Sequence, residues 1–151
     1  MFYEQKNSLD RNFSNFIISN YKNWMNNNSQ DSPVLSHKVF DKFLSPIISS
    51  DKKLIFIIID CLRLDQWKQI SELLYPSFRI KEDFYLSILP TATPFARNAI
   101  FSGFYPNKLQ QEYSDIWQKM WQDEHSMNRF ENQFLRDQLN RLGLESKSIH
   151  Y

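Results

Sequence analysis

The sequence predicts an α/β fold in which short parallel strands alternate with helices. Three observations support this prediction: an unbroken apolar run at residues 54–59 ends at Asp60, a second apolar segment at 84–89 leads into the turn Thr-Ala-Thr at 91–93, and a helical pattern follows each of them. A strand that is apolar at consecutive positions is typical of a sheet covered by helices on both faces. Alternating strands and helices favour a parallel sheet.

A helical segment is predicted ahead of the first strand. Residues 10–26 show a helical apolar stripe, the polar run 26–33 indicates a loop, and Ser36 is a candidate N-cap for a second helix. The stripe of the first helix is formed by large side chains: Phe13, Phe16, Ile17, Tyr21 and Trp24. We therefore divide the chain into a helical segment, residues 1–50, and an α/β domain, residues 51–151.

Four further helical patterns and a third strand are predicted after Asp60. The helices are predicted at 64–75, at 94–102, around the apolar stripe of 113–121 and at about 128–142, and the strand is predicted at 145–151. The only two glycines, Gly103 and Gly143, follow helical patterns and are predicted to be helix C-caps. A sheet of two or three strands would leave an apolar edge unpaired, so we expect the chain to be a fragment of a larger domain.

Composition restricts the classes of function. The 151 residues include 42% hydrophobic and 16% aromatic side chains, enough for a core, while the mean hydropathy is −0.54. The longest apolar run is far shorter than the ~20 residues of a membrane span, and no signal peptide pattern is present. A net charge of +1 implies no strong attraction to nucleic acid or membranes. The single cysteine, Cys61, suits a reducing cytosol, and we predict a cytoplasmic protein without a membrane partner.

Asp60 is the first candidate site residue. A carboxylate at the carboxyl end of a buried strand lies where ligands bind in open α/β sheets, so it could bind a metal ion. Alternatively, it caps the next turn or pairs with Arg63. Leu62 stands where a dehalogenase-type phosphatase has a second aspartate, and Trp67 stands where a tyrosine phosphatase loop has its arginine. A receiver-type phosphoacceptor role for Asp60 remains open at this point.

Thr93 is the second candidate. Because Pro94 follows directly, Thr93 is predicted to be the N-cap of the next helix. The same position suits a nucleophile, since the helix dipole and free amides would face the phosphate it attacks. A threonine hydroxyl needs a base or a metal ion for activation, and no suitable His or Lys is evident nearby. Thr91 is a weaker candidate for the same role.

Neighbouring side chains have possible supporting roles. Arg97 and Asn98 lie in the first turns of the helix and could reach the same anion, although Arg97 could equally be an ion-paired surface residue. Arg63 and Asp65 are predicted to form a local ion pair or to orient Asp60. The three histidines are isolated in the sequence and have no metal-binding spacing: His37, His125 and His150.

Two segments resemble a known family. The segment LPTATPFARNAIFSGFYP resembles the nucleophile segment of the alkaline phosphatase superfamily, including the ten positions from Thr93 to Gly103, and IIIDCLRLDQW resembles its first metal-ligand strand. Together they resemble the PglZ domain, and most closely that of PorX-type response regulators of Bacteroidetes. The SH-x-VF stretch at 36–40 is similar to the segment preceding that domain.

The resemblance implies a fold and a site. The fold would be an incomplete parallel-sheet sandwich of alkaline phosphatase type after a short helical segment. Asp60 would be a zinc ligand and Thr93 the nucleophile and bridging ligand of a two-zinc site. Beside them, we predict that Arg97, Asn98 and Arg63 orient the phosphate. The family pattern also requires an Asp-x-x-x-His, an Asp-His pair and another His, which this sequence lacks. We therefore expect the chain alone to be inactive and to bind zinc weakly.

The resemblance also implies a function and partners. The larger protein would be a zinc-dependent phosphodiesterase or phosphatase-like response regulator that acts on a phosphate ester or an oligonucleotide-like substrate. A sensor kinase and the transcription machinery would be its partners, and residues 10–48 could mediate homodimerisation. The alternative is a non-catalytic interaction module that transmits a receiver signal in type IX secretion regulation. A truncated reading frame without function is a third interpretation.

Overall fold

The structure, a computed structural model, describes residues 2–26, 32–50, 53–123, 127–144 and 150–151. Within these ranges the α-helices are α1 (Phe2–Asn26), α2 (Ser45–Ile48), α3 (Leu64–Leu74), α4 (Thr93–Ser102), α5 (Pro106–Glu112), α6 (Ser114–Met120) and α7 (Glu131–Arg141). A 3₁₀ turn (Ser36–Lys38) and a π-helical turn (Phe40–Leu44) precede α2. The described part of the chain is therefore predominantly helical.

The predicted α/β class is wrong for the described residues, where the one β-type pairing is an isolated parallel bridge between Leu35 and Leu86. Residues 54–59 belong to no helix or strand, and we call them the extended segment because the exposure of their side chains alternates as in an extended backbone. Their backbone makes no hydrogen bond to another described residue. An apolar run becomes a strand only when a neighbouring strand takes up its N–H and C=O groups. The expected third strand falls largely on residues 145–149, outside the described residues.

The extended segment 54–59 packs on one face only. Leu54, Phe56 and Ile58 lie against the helical core, whereas Ile55 and Ile57 are 86% and 72% exposed. This period of two is the side-chain alternation of an extended backbone. The continuous apolar pattern had predicted burial on both faces, so the structure corrects the expected packing as well as the expected pairing.

The chain divides into two compact units, Met1–Pro33 and Val34–Tyr151. The first contains α1, which has no buried residue and carries the predicted aromatic stripe, with the rings of Phe16 and Trp24 5.5 Å apart. The second contains the hydrophobic core. None of the described helices combines the length and apolar character that crossing a membrane requires.

The core of the second unit is formed where α4 meets α7 and the helical turns of 36–44. Its buried members are Val39, Phe40, Leu44, Ile100, Phe101, Leu109, Met120, Phe134, Leu135 and Leu139. The Phe56 ring joins the extended segment to this core through edge-on contacts with Phe40 and Phe101, at centroid distances of 5.2 and 6.1 Å. Because the extended segment packs against Phe101 of α4, Asp60, which directly follows the segment, is held near α4.

Ser36 is not the N-cap that the sequence predicts. Leu35 occupies the cap position, and Ser36 is the first residue of the 3₁₀ turn. The buried Ser36 hydroxyl instead accepts a hydrogen bond from the backbone N–H of Ile88 at 3.1 Å. Serine is a common N-cap residue, but here its hydroxyl is the acceptor that the buried N–H of Ile88 requires. This hydrogen bond holds the segment before α4 against the core.

The C-terminal end of α4 is fixed by Gly103 and Gln138. Gly103 adopts a left-handed conformation, with φ of 70°, and its N–H donates to the carbonyl of Ala99 at 2.9 Å. The Gln138 amide, with its nitrogen facing the helix, donates to the carbonyls of Ile100 and Phe101 at 3.0 and 2.8 Å. The predicted glycine cap is confirmed, and α7 supplies the remaining donors for the end of α4.

Candidate functional site

Arg97 joins three separate parts of the second unit. Its Nη1 donates to Asp60 Oδ2 at 3.0 Å, at the end of the extended segment, and its Nη2 donates to Glu131 Oε2 at 2.6 Å, at the start of α7. Arg97 itself lies in the second turn of α4. The structure therefore brings the predicted residues Asp60 and Arg97 into direct contact.

Glu131 is the buried member of this cluster, with 1% of its surface exposed. Asn128 Nδ2 donates to its Oε1 at 2.9 Å, and the Tyr151 hydroxyl donates to its Oε2 at 2.7 Å. A buried carboxylate is stable only when its charge is paired and its oxygens are hydrogen-bonded. Arg97, Asn128 and Tyr151 together meet that requirement.

The electrostatics of the cluster favour a charged Arg97. Burial alone would lower the pKa of its guanidinium, but the hydrogen bonds to Glu131 and Asp60 outweigh burial and raise the pKa. Burial, followed by the hydrogen bond to Glu131, raises the pKa of Tyr151 to about 12. Burial, and then the nearby charge of Asp60, raises the pKa of Tyr85. Both tyrosines are therefore uncharged at neutral pH.

Thr93 is the first residue of α4, and Ala92 is the N-cap, one position earlier than the sequence predicts. The half-buried Thr93 hydroxyl has no hydrogen-bond partner among the described residues. The N–H groups of Phe95 and Ala96 both donate to the Ala92 carbonyl, and Pro94 has no N–H. The first turn of α4 therefore has a hydroxyl without a partner among the described residues, but it has fewer N–H groups free to bind an anion than the sequence predicts.

Asn98 and Arg63 have other contacts. Asn98 is fully buried, and its Nδ2 donates to the carbonyls of Pro94 and Met127 at 2.7 and 2.9 Å. Its Oδ1 has no partner within the described residues. Arg63 is exposed at the start of α3 and binds Asp65, with Nη2 2.7 Å from Oδ2, which confirms the predicted local ion pair. Asn98 thus connects α4 to the turn before α7, which contains Asn128 and leads directly into Glu131.

Asp60 and Thr93 do not form a metal site by themselves. No group of three or more His, Cys, Asp or Glu side chains in the described ranges could hold a metal ion. The Oδ2 atom of Asp60 is bound by Arg97. Zinc takes at least three protein ligands, and two oxygen donors fall short of that number. The residues present in the described part of this chain therefore do not fit a complete zinc site.

The family comparison covers this site with the exception of Tyr151. The family described as the BREX system PglZ alkaline phosphatase-like domain matches residues 39–147, more than half of the chain. The chain belongs to the PglZ family. A search of curated proteins finds no match. Asp60, Thr93, Arg97 and Glu131 all lie within the matched PglZ residues, so the cluster is part of the alkaline phosphatase-like domain. The finer resemblance to response regulators stays a prediction.

Glu131, Asn128 and Tyr151 were not identified from the sequence. One local signal was available for the first two, because an Asn followed three residues later by a Glu at the start of a helix is typical of a helix N-terminus. That signal indicates a structural role and gives no information about Arg97, which is 34 positions away. Contact between distant positions depends on how α4 packs against α7, which the PglZ sequence pattern alone does not specify.

Proposed function

We propose that this PglZ domain contributes the phosphate-facing part of a phosphoric ester hydrolase in which Thr93 is the nucleophile. The observation that supports the proposal is the Thr93 hydroxyl at the start of α4, which has no hydrogen-bond partner in the described part of the chain and lies one helical turn from Arg97. Residues four apart lie on the same face of a helix, so the hydroxyl and the guanidinium point toward one region. The positive end of the α4 dipole favours an anion there.

In the proposed reaction, Thr93 Oγ gives up its proton to water and attacks the phosphorus atom, and the bond to the leaving alcohol oxygen breaks as that oxygen takes up a proton from water. Water then attacks the phosphorus atom of the threonine ester, which restores the Thr93 hydroxyl and releases phosphate from a monoester substrate or a phosphate monoester from a diester. Arg97 would contact a non-bridging phosphate oxygen, where charge develops. The Asn98 amide nitrogen and the Arg63 guanidinium, which would be their donors to an anion, are bound elsewhere among the described residues, so we assign the main anion contact to Arg97.

We infer zinc as the cofactor of the complete enzyme, with Asp60 and Thr93 as the ligands that this chain provides. Since these two donors fall short of a zinc site, the proposal requires further ligands from polypeptide outside these residues. It follows that the 151-residue chain should bind zinc weakly. A zinc analysis of the purified chain and of the full-length protein tests this point, because only the latter should retain stoichiometric metal.

The functional test is hydrolysis of a chromogenic phosphodiester by the protein expressed from its complete reading frame. Thr93→Ala should reduce kcat by at least about a hundredfold, because the nucleophile is lost. Thr91→Ala is the matched control, since Thr91 is an exposed threonine in the same turn. Equal rates in the two variants would remove Thr93 from the nucleophile role. Absence of hydrolysis in the wild type would remove the enzymatic function.

A regulatory module is the second candidate, and the Arg97–Asp60 ion pair favours it. A carboxylate already neutralised by an arginine does not need a metal ion, and the two could form a purely structural contact. In this reading a cytoplasmic receiver domain, its sensor kinase and the transcription machinery would be the functional partners. A wild-type protein without zinc and without hydrolysis, whose Asp60→Asn variant loses only stability, would support this candidate over the enzyme.

A further inference from the structure

We propose that Glu131 is a positioning residue that holds the Arg97 guanidinium in place beside Thr93, so that Arg97 can exchange its bond to Asp60 for a bond to a phosphate oxygen. The inference rests on the proposed function for the identity of the incoming anion. Its structural part, a guanidinium fixed at one end and exchangeable at the other, is independent of catalysis.

The two bonds of Arg97 differ in accessibility. The Glu131 side chain is 1% exposed, whereas that of Asp60 is 45% exposed and that of Arg97 is 28% exposed. The Nη2 bond to Glu131 is therefore shielded from water, and the Nη1 bond to Asp60 faces solvent. A dissolved anion can reach and replace Asp60 but cannot reach Glu131. The guanidinium is planar and rigid, so fixing Nη2 also fixes the direction of Nη1.

Glu131 is itself held by its own hydrogen bonds. Asn128 occupies its Oε1 at 2.9 Å, and Tyr151 shares Oε2 with Arg97 at 2.7 Å. Asn128 Nδ2 also lies 3.5 Å from the carbonyl oxygen of Thr93, so the same side chain contacts the first residue of α4. The buried carboxylate, the guanidinium and the proposed nucleophile are therefore connected through a short chain of direct contacts.

A stabilising role explains Glu131 less well than a positioning role. A buried ion pair gains little net stability, because desolvation of both charges offsets their attraction, and apolar side chains of similar volume are often equally stable. What such a pair does supply is a fixed geometry. Without Glu131, Arg97 would keep only a solvent-exposed partner, and a flexible side chain with one exposed ion pair is poorly ordered.

The test uses side-chain nitrogen NMR of the 151-residue chain, titrated with inorganic phosphate. In the wild type, Arg97 should give separate Nη1 and Nη2 signals because rotation of its guanidinium is blocked, and phosphate should shift Nη1 but leave Nη2 in place. Glu131→Gln should merge the two signals and weaken phosphate binding roughly tenfold, as expected when one hydrogen bond between two charged groups is lost. Glu82→Gln is the matched control, since Glu82 forms an exposed ion pair with Lys68 and should change neither signal.

Several results would overturn the proposal. In the wild type, these are averaged Nη1 and Nη2 signals, a shift of the Nη2 signal on addition of phosphate, or no shift of either Arg97 signal on addition of phosphate. In Glu131→Gln, they are separate Nη1 and Nη2 signals together with unchanged phosphate affinity. If Glu131→Gln does not fold, Glu131→Asp replaces it with the same expectation, because a side chain one methylene shorter withdraws the carboxylate from Nη2. Failure of the Thr93 hydrolysis test would remove the proposed reaction without altering the Arg97 spectra, so the two failures are distinguishable.

Discussion

Arg97 binds two carboxylates of very different exposure, and this difference determines what each bond contributes. The bond to buried Glu131 cannot be replaced by water, because water does not reach that carboxylate. The bond to Asp60 can be replaced at little cost, since both groups face solvent in part. A single side chain thus combines a structural contact and an exchangeable contact.

Replacing Arg97 should destabilise the second unit. Arg97→Ala leaves the buried Glu131 carboxylate without its counter-charge, which should lower the free energy of unfolding by about 3 kcal/mol. Arg63→Ala is the control, because Arg63 forms an ion pair with Asp65 that is exposed on both sides and should leave the midpoint of urea unfolding unchanged. Equal midpoints for Arg97→Ala and the wild type would contradict the burial of Glu131.

At the same scale, the sequence predicted the accessible candidate residues but not the buried Glu131 that binds Arg97. Asp60 and Thr93 were identified because each follows an apolar segment and precedes a turn or a helix, which are local signals. Glu131 acquires its role only through packing of α7 against α4, so no local pattern specifies it. The one-residue error at the N-cap of α4 has a local cause, because proline is tolerated at the second helical position as well as the first.

Among the elements, the extended segment 54–59 differs most from expectation. Its inward side chains pack on the helical core, while the outward ones remain in water. The apolar composition of a segment predicts burial, but the sequence contains no direct information on whether a neighbouring strand pairs with it. The helices were predicted more successfully, because their hydrogen bonds are local and their apolar period can be read along the chain.

One-sided packing of this segment can be tested by paired substitutions. Phe56→Ala should cost about 2 kcal/mol of stability, because a half-buried ring in contact with Phe40 and Phe101 is lost. Ile57→Ala should change stability by less than about 0.5 kcal/mol, because its side chain is exposed. Thermal or urea unfolding of both variants measures this. Similar losses would instead indicate a segment covered on both faces, as in the α/β fold that the sequence predicted.

The junction between α4 and α7 gives a second prediction at this scale. Gly103 and Gly143 share a φ of 70°, but a Cβ added at Gly103 would lie 2.6 Å from the Gln138 amide, whereas one at Gly143 would meet nothing within 4 Å. Gly143→Ala should cost about 1 kcal/mol for the left-handed conformation. Gly103→Ala should cost about 1 to 2 kcal/mol more, because Gln138 must give up bonds to the end of α4. Equal unfolding midpoints for the two variants would argue against this contact.

At the scale of the whole molecule, the PglZ match and the Arg97 cluster fall in the same compact, predominantly helical unit. The matched residues 39–147 fall within the second compact unit, which holds both the core and the Arg97 cluster. The family was recognisable from sequence because its motifs are contiguous, at Asp60 and at 91–106. The sheet expected for an alkaline phosphatase-like domain was not found in the described residues, since it would depend on strands that pair with the extended segment.

The central claim, that Thr93 is the nucleophile of a phosphoryl-transfer site beside Arg97, is tested most directly by trapping the covalent intermediate. The protein expressed from its complete reading frame is mixed with a phosphodiester substrate, quenched in acid and digested, and the peptide that contains residues 91–97 is analysed by mass spectrometry. The account predicts that the wild type carries on Thr93 the phosphoryl group of the substrate with its remaining ester substituent, that Thr93→Ala carries none, and that Thr91→Ala retains it. Hydrolysis that proceeds with no modification of Thr93, or with the phosphoryl group on another residue, would contradict it.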